Sequence, residues 1–255
     1  MRSRGLIACF TLFNTGGEKM TTIIFDVDDT LYDQLTPFQL AFEDVFHDPT
    51  IPIEELFKYS RIYSDEVFQQ SEDGVISKLE MQIYRIKKAL EHFDRRITDQ
   101  EGAEFQAKYQ DYQSQLQLDP DMEEALDLCL KHGIQLGVIT NGPAEHQRKK
   151  IQQLKLHKWV PEEYLFVSGE LGIAKPDPQI FQQVEAVMQL DKANTYYIGD
   201  SYFNDIIGAK KAGWQAIWIN RRNHPILSQE YLPDYTIDGS SKIQSLIYDL
   251  ITPET

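Results

Sequence analysis

The sequence predicts an α/β fold, in which a parallel β-sheet carries helices on both faces and a helical unit is inserted after the first strand. Two patterns predict it. After residue 119, short apolar segments alternate with amphipathic helices, as in sheets whose strands run parallel. Before that alternation, the stretch 34–118 has helical spacing and no strand signal. With 255 residues and 42% hydrophobic composition, the chain can bury a sizeable core.

The first predicted strand, Thr22–Phe25, is a continuous apolar and β-branched run. Such a run is typical of a central parallel strand that is buried on both faces. It stops abruptly at an acidic segment, Asp-Val-Asp-Asp-Thr at 26–30. These acids are therefore predicted to lie just beyond the carboxyl end of a central strand.

Four stretches between residues 34 and 118 repeat apolar side chains at helical spacing. The clearest runs from Leu79 to Phe93, where apolar residues recur at intervals of four and three. Turn signals such as Asp48-Pro49 separate the stretches. We predict that residues 34–118 form a helical domain of their own, while residues 20–33 and 119–255 form the sheet domain.

The rest of the chain is predicted to alternate between strands and helices. An amphipathic helix over 122–130 ends at Gly133, a residue common just after helices. Further helices are predicted from near Pro143, over 180–188 and over 205–212. The predicted strands are 136–139, 165–167, 196–198 and 216–219, and the segments 235–237 and 243–250 close the chain.

The first nineteen residues differ from the rest of the chain. Arg2 and Arg4 precede a short apolar run, as in a signal peptide, but no small-residue cleavage site follows. Residues 16–20, Gly-Gly-Glu-Lys-Met, can be encoded by a purine-rich stretch that resembles a ribosome-binding site before a start codon. We expect the natural chain to begin at Met20, and residues 1–19 to be disordered or absent from the native protein.

The charge balance excludes some classes of partner. The chain has 25 basic and 40 acidic residues, a net charge of −15, and no basic stripe that could bind nucleic acid. No apolar run approaches the roughly 18 residues that span a membrane. Two cysteines, Cys9 and Cys129, make no disulfide framework and indicate the cytoplasm. Nothing in the sequence indicates an oligomeric state.

Polar side chains follow several predicted strands, where ligands bind in open parallel sheets. Asp26 and Asp28 follow the first strand, and Thr140 and Asn141 follow the second. Lys175 lies in the loop after the third strand. Asp200 and Asp205 follow the fourth. The convergence of acids, a hydroxyl and a lysine at one edge predicts a polar active site.

Each of these residues also has a plainer interpretation. Aspartates favour turns, Thr140 could cap a helix, and Lys175 could be a solvated charge. A calcium loop is excluded because Leu31 and Pro37 stand where glycine and glutamate are needed. Glycine-rich nucleotide-binding motifs and paired zinc-binding histidines are absent from the sequence.

Four short motifs, in this order, resemble those of the haloacid dehalogenase (HAD) superfamily. Its first motif, Asp-x-Asp-x-Thr, matches residues 26–30, and its second, a Ser or Thr at a strand end, matches Thr140. Its third, a Lys often followed by Pro, matches Lys175, and its fourth, Gly-Asp-x-x-x-Asn-Asp, matches 199–205. The resemblance implies a Rossmann-like core and makes the helical unit over 34–118 similar to the family's C1 cap.

The resemblance implies a Mg²⁺-dependent phosphatase that forms an aspartyl phosphate. It makes Asp26 the nucleophile. Asp28 is implied to protonate the leaving alcohol and then to deprotonate the attacking water. Mg²⁺ is implied to bind the Asp26 carboxylate, the Asp28 backbone carbonyl and Asp200.

The remaining motif residues are implied to surround the phosphoryl group. Thr140, the backbone N–H of Asn141 and Lys175 are implied to neutralise its charge during transfer. Asp205 is implied to orient the metal ligands or water from behind. One metal ion and one lysine would then explain how an acidic chain binds a phosphorylated metabolite.

Within the superfamily, the sequence favours a phosphatase acting on a small phosphate monoester. A dehalogenase is rejected because members with that activity lack the second acid of the first motif, and Asp28 is present. A phosphosugar mutase of the same fold and a non-catalytic binding protein for phosphorylated ligands stay open as alternatives. Residues 31–33 and 140–142 look like those of 5′-nucleotidases, so nucleoside 5′-monophosphates are one candidate substrate class.

Substrate choice is expected to depend on the helical unit. Phe38 and Tyr84 could stack on a base, although their helical spacing favours packing within the unit. Arg85 could contact a substrate or be a solvated surface charge.

Overall fold

The structure is a computed structural model that describes residues 21–238 and 242–252. The expectation for residues 1–19 lies outside the described residues. Within the described ranges, no helix combines the length and the apolarity needed to cross a membrane.

Among the described residues six strands form one parallel sheet; the five predicted strands are confirmed, and the sixth, at 235–237, had no assignment from the sequence. The strands are β1 Thr22–Phe25, β2 Gln135–Thr140, β3 Leu165–Val167, β4 Thr195–Gly199, β5 Gln215–Ile219 and β6 Tyr235–Ile237. Their order is β3-β2-β1-β4-β5-β6, which places β1 between β2 and β4. All four residues of β1 are buried, as its continuous apolar run predicted. The central position of β1 brings its acidic end next to the ends of two neighbours.

Four helices follow β1 and share an apolar core of their own. They are α1 Leu35–Phe46, α2 Ile53–Glu72, α3 Lys78–Glu91 and α4 Asp99–Gln113, which we call the four-helix unit. Ser77 and Thr98 begin α3 and α4 with capping boxes, in which the side chain and a glutamate three residues later each accept a backbone N–H. Phe38, Ile86 and Phe105 lie at the centre of this core and are at most 1% exposed.

The remaining helices cover both faces of the sheet, which confirms the α/β fold predicted from the sequence. They are α5 Pro120–Lys131, α6 Ala144–Gln153, α7 Ser168–Leu171, α8 Pro178–Met188, α9 Gly208–Ala212 and α10 Ile243–Ile251. Leu126, Ile151 and Ile247 of α5, α6 and α10 pack on one face. Phe181 of α8 and Ala209 of α9 pack on the other. The predicted helix over 205–212 has a π-helical first part, Tyr202–Ile207, and the short α7 was not predicted.

Two adjacent linkers join the four-helix unit to the sheet. The N–H of Asp119 donates to the carbonyl of Leu31, with an N–O distance of 2.9 Å. Arg221 pairs with Asp119 at 2.9 Å, and Arg222 pairs with Asp33 at 2.6 Å. Two arginines from the segment after β5 therefore hold both linkers. The domain division at residues 34 and 118 stays a prediction.

Candidate active site

A buried lysine lies at the centre of the predicted site. Lys175, in the loop between α7 and α8, has a side chain that is only 2% exposed. Its Nζ lies 2.7 Å from Asp26 Oδ1 and 2.7 Å from Asp205 Oδ1. It also donates to the hydroxyl of Tyr197 at 2.6 Å, and that hydroxyl donates to the carbonyl of Ile139 at 3.0 Å. Each hydrogen-bond direction of the ammonium group therefore has a protein acceptor.

Asp26 lies directly after β1, where the sheet holds its backbone. Its N–H donates to the carbonyl of Ile198 in β4 at 2.8 Å, and Thr30 Oγ1 donates to its Oδ2 at 3.2 Å. Burial raises the pKa of Asp26 to about 7, against the charge of Lys175, and the nearby charge of Asp205 adds to the rise. The carboxylate is thus held in a fixed position with part of its charge left uncompensated.

Asp200 follows β4 and completes a cluster of three carboxylates. Oxygens of Asp26, Asp200 and Asp205 all lie within 4.8 Å of one another. Among the described residues, no donor bonds to the Asp200 carboxylate. Burial, together with the charges of Asp26 and Asp205, raises the pKa of Asp200 to about 9. An all-oxygen cluster with one unpartnered carboxylate is chemically suited to a hard divalent cation such as Mg²⁺.

Asp205 already has partners for both carboxylate oxygens. Its Oδ1 accepts from Lys175, and its Oδ2 accepts the N–H of Ser201 at 2.9 Å. Gly199 makes this arrangement possible, because a Cβ at that position would lie 2.4 Å from Asp205 Oδ2. These contacts fix the position of the Asp205 carboxylate; its predicted role in orienting the metal ligands or water stays a prediction.

Asp28 is held by a different set of side chains. Tyr32 and Lys150 both donate to its Oδ1, and Gln147 Nε2 donates to its Oδ2 at 2.8 Å. Burial would raise the pKa of Asp28, but the charge of Lys150 and these hydrogen bonds outweigh it and hold the pKa below its usual range. Sequence reasoning missed Lys150 and Gln147, which lie one turn apart on α6, the helix that follows Thr140.

Thr140 and Asn141 extend the site from the end of β2. Thr140 is fully buried, and its Oγ1 has no hydrogen-bond partner in the described part of the chain. Asn141 donates to the carbonyl of Lys175 at 2.9 Å and accepts the N–H of Lys175 at 3.0 Å. Its side chain therefore fixes the loop that carries the buried lysine. The predicted role of its backbone N–H in binding phosphate stays a prediction.

A cavity of about 230 Å³ lies between this edge of the sheet and the four-helix unit. We call it the interface cavity. It is the opening beside Asp28, whereas a larger cavity of about 470 Å³ lies at the linkers and contains none of the predicted site residues. The interface cavity is lined by Asp28, Tyr32, Gln34, Pro37, Arg61, Tyr109, Gln113, Leu116, Asn141, Gly142, Pro143, His146, Gln147 and Lys150.

The residues of the four-helix unit singled out from the sequence do not line the interface cavity. Phe38 is 1% exposed and packs edge-on against Phe105, as its helical spacing favoured. Tyr84 donates to Glu66 at 2.9 Å. Arg85 is half-buried and donates to Gln106 at 2.9 Å, so it is neither a cavity residue nor a solvated charge.

The sequence model of the haloacid dehalogenase-like hydrolase family matches residues 20–213. The match covers well over half of the chain and includes every predicted site residue. The chain therefore belongs to the haloacid dehalogenase-like hydrolases.

Curated relatives match nearly the whole chain. The HAD-hydrolase YfnB of Bacillus subtilis is 28% identical over 225 residues, which cover 86% of this chain and 92% of YfnB. A glyceraldehyde 3-phosphate phosphatase of Methanopyrus kandleri is 26% identical, with 89% of this chain and 97% of that protein covered. The pyrimidine 5′-nucleotidase YjjG of Escherichia coli is 24% identical, with 90% and 98% covered.

The solved structure of YfnB agrees with these matches. It superimposes with a TM-score of 0.63 at 27% identity and covers 91% of this chain and 99% of that one. That crystal structure is bound to magnesium and is described as revealing interdomain movement. Together, the family match and the named phosphatases show that this chain is a phosphoric monoester hydrolase.

Proposed function

We propose that this haloacid dehalogenase-like hydrolase is a Mg²⁺-dependent phosphatase that cleaves a small phosphate monoester through a phosphate ester of Asp26. One observation carries the proposal. Lys175 holds the carboxylate of Asp26 at 2.7 Å, beside an Asp200 carboxylate that lacks a donor among the described residues. A fixed nucleophile, a fixed cation and carboxylates that could bind a second cation are the parts that phosphoryl transfer requires.

The Mg²⁺ ion is assigned to the carboxylates of Asp26 and Asp200 and to the backbone carbonyl of Asp28. The raised pKa of Asp200, about 9, supports this assignment because burial and the charges of Asp26 and Asp205 outweigh the opposing charge of Lys175. A bound Mg²⁺ ion would offset the repulsion between the anionic nucleophile and the anionic phosphate.

The first chemical step forms a bond between an Asp26 oxygen and phosphorus and breaks the bond between phosphorus and the ester oxygen. The leaving oxygen is proposed to take a proton from Asp28, which lines the interface cavity where the leaving group would lie. Because Lys150 and its hydrogen-bond donors hold the pKa of Asp28 below its usual range in the ligand-free chain, this step requires that Asp28 gain a proton when the ester binds. In the second step Asp28 takes a proton from water, whose oxygen attacks phosphorus. Inorganic phosphate leaves and the Asp26 carboxylate is restored.

Lys175 and Thr140 would balance the charge of the phosphoryl group during both steps. Lys175 is already positioned by its bonds to Asp26, Asp205 and Tyr197, so little reorganisation is needed as charge develops. Thr140 contributes a buried hydroxyl without a partner among the described residues, which can donate to a phosphate oxygen.

The substrate is proposed to be a small phosphorylated metabolite. Pockets for drug-sized ligands begin at roughly 300 Å³, and the interface cavity is about 230 Å³. This volume favours a short leaving group over a nucleoside, although one relative is named as a pyrimidine 5′-nucleotidase. The cytoplasmic location that we propose rests on the scarcity of cysteine; Cys129 is buried and unpaired.

The test is release of phosphate from p-nitrophenyl phosphate and from a panel of phosphorylated metabolites that includes nucleoside monophosphates. We expect turnover with Mg²⁺, none with a chelator, and a covalent phosphate on the chain after an acid quench, detected by mass. Asp26→Asn should lose both signals, while Asp111→Asn, which changes an exposed acid on α4, should keep them.

Other outcomes would identify the alternatives. Isomerisation of hexose phosphates with little phosphate release would indicate a mutase. Ligand binding with no turnover of any ester would indicate a binding protein. Full turnover in the chelator would contradict the metal dependence.

A further inference from the structure

One cation of the four-helix unit lines the interface cavity without a partner. Arg61, on α2, is exposed, and it makes no hydrogen bond or ion pair with another residue that the structure describes. Most other arginines bind carboxylates; Arg95, for example, pairs with Asp48 at 2.6 Å and Arg222 with Asp33 at 2.6 Å. Arg61 is therefore an available guanidinium group that faces the proposed leaving-group site.

The facing wall of the cavity is also basic. His146 and Lys150 lie one turn apart on α6, and both line the cavity. Burial lowers the pKa of His146, and the charges of Lys150, Lys78 and Lys149 add to this effect against the charge of Asp28. The cavity is thus lined by Arg61 from α2 of the four-helix unit and by Lys150 from α6 of the sheet domain.

The local charge remains positive after the acids there are counted. Lys150 is paired with Asp28, and Lys149 is paired with Glu145 at 2.8 Å. Arg61 is left over as a cavity-lining cation that pairs with no other described residue. This sign is opposite to that of the whole chain, whose net charge is −15. A basic cavity in a strongly acidic protein concentrates anions at the point where they would otherwise be repelled.

We propose that the leaving group of the substrate carries a second anionic group, a carboxylate or a phosphate, which Arg61 binds across the interface cavity while Lys150 lies on the opposite wall. The proposal rests on the phosphatase function proposed above and narrows its substrate class. A guanidinium group pairs with either anion through two parallel hydrogen bonds. A neutral leaving group would fill the same space without forming a charge-assisted hydrogen bond to Arg61.

Tyr109 and Gln113 make the same cavity selective for a compact anion. Both lie on α4 beside Arg61 and can contact the atoms that connect the two charged ends of the substrate. The volume of about 230 Å³ is below the roughly 300 Å³ at which pockets for drug-sized ligands begin, which favours a compact connection between the two ends. The substrate class is therefore a short phosphate ester with an acidic group at its far end.

Binding of three unreactive phosphonates tests the proposal independently of catalysis. Each replaces an ester oxygen with CH₂: the analogue of glycerol 3-phosphate has a neutral tail, that of 3-phosphoglycerate a carboxylate, and that of propane-1,3-diol bisphosphate a second phosphate. Titration calorimetry with the Mg²⁺-loaded wild-type chain should give at least about tenfold tighter binding for one or both acidic analogues. The tighter of the two identifies the anion.

Arg61→Met should reduce that preference by about tenfold or more, since it removes one charge-assisted pair. The matched control is Arg96→Met, an exposed arginine that does not line the cavity, which should keep the wild-type preference. Raising the ionic strength should weaken binding of the acidic analogues more than that of the neutral one.

Three results would overturn the proposal: equal affinity of the wild-type chain for all three analogues, no binding of any of them, or an equal loss for all three in Arg61→Met. Turnover of the three corresponding esters is measured separately. If the acidic analogues bind with the expected preference but no ester is hydrolysed, the phosphatase function fails and the anion site stands.

Discussion

The sheet edge and the four-helix unit place charged groups in opposite ways. At the sheet edge, Lys175 is 2% exposed and bonds to two carboxylates and a tyrosine. In the four-helix unit, Arg61 is exposed and has no ion-pair partner among the described residues. The buried charged groups are held in position before any ligand binds, whereas the exposed guanidinium group of Arg61 can pair with a ligand when it binds.

The two regions therefore suit different parts of the reaction: the sheet edge suits phosphoryl transfer, and the four-helix unit suits recognition of the leaving group. Phosphoryl transfer gains most from dipoles and charges that need not move as the reaction proceeds, and such groups must be buried and mutually bonded. Recognition of the leaving group needs only a pairing that forms on binding, and an exposed side chain on a separate unit supplies it at little cost to folding. Substitutions at the sheet edge should therefore have large effects on both turnover and stability. Substitutions in the four-helix unit should have smaller effects, which differ from one substrate to another.

Asp26→Asn should have the largest effect on activity. The amide is a poor nucleophile and a weaker metal ligand, so turnover should fall by about a thousandfold or more for every ester. Steady-state rates at saturating Mg²⁺ measure this, and circular dichroism checks that the fold is retained. A loss restricted to some substrates would contradict this division of roles, because it would give Asp26 a role in substrate specificity.

Lys175→Met should have the largest effect on stability. It leaves Asp26 and Asp205 buried without their shared cation, which costs about 3–5 kcal/mol of unfolding free energy. Urea unfolding in a chelator measures the change. The control is Lys149→Met, whose side chain is 68% exposed and should change stability by less than about 1 kcal/mol. Similar losses for both variants would contradict the central position of Lys175.

The metal-free chain should lose stability as the pH rises. In the folded state the pKa of Asp200 is about 9 and that of Asp26 about 7, both above the usual value of 3.8. Between those limits the folded state binds more protons than the unfolded state, so the unfolding free energy falls as the pH increases from about 4 to 9. Melting temperatures in a chelator should decline over this range.

Added Mg²⁺ and the Asp200→Asn variant provide two further tests of this pH dependence. Added Mg²⁺ should raise the melting temperature more at high pH than at low pH, because it replaces the missing positive charge. Asp200→Asn should flatten the decline and reduce the Mg²⁺ effect. A metal-free chain that becomes more stable with rising pH, and whose slope Asp200→Asn leaves unchanged, would contradict the assignment.

Arg85→Ala should have the smallest effect of these changes. Arg85 donates to Gln106 at 2.9 Å and lies 5.8 Å from the centre of the Tyr109 ring, so its loss should cost about 1–2 kcal/mol of stability. Substrate preference should hardly change, in contrast to Arg61→Met. Thermal unfolding and the ratio of rates on acidic and neutral esters measure the two properties. A selective loss for acidic esters would place Arg85 in the recognition site.

The strands and motif residues could be predicted because their signals are local. The run Thr22–Phe25 is apolar enough to specify a doubly buried strand, and the motif acids follow strands directly. Tyr197 could not be predicted as a partner of Lys175, because in a buried strand its hydroxyl is hidden within an apolar pattern. Arg61 and Arg85 both lie on amphipathic helices, and only the packing of those helices decides that Arg61 lines the cavity and Arg85 does not.

The single hydrogen bond between the two linkers also has a consequence for how such enzymes diversify. Because the Asp119 N–H contacts the Leu31 carbonyl at 2.9 Å, the sheet presents two chain ends that a short turn could join. The loop-closure entropy of that junction depends only weakly on what is inserted between the ends. Helical segments of different length and sequence can therefore replace one another at this junction. A chimera that carries a relative's segment should acquire new substrates while it keeps the same reaction.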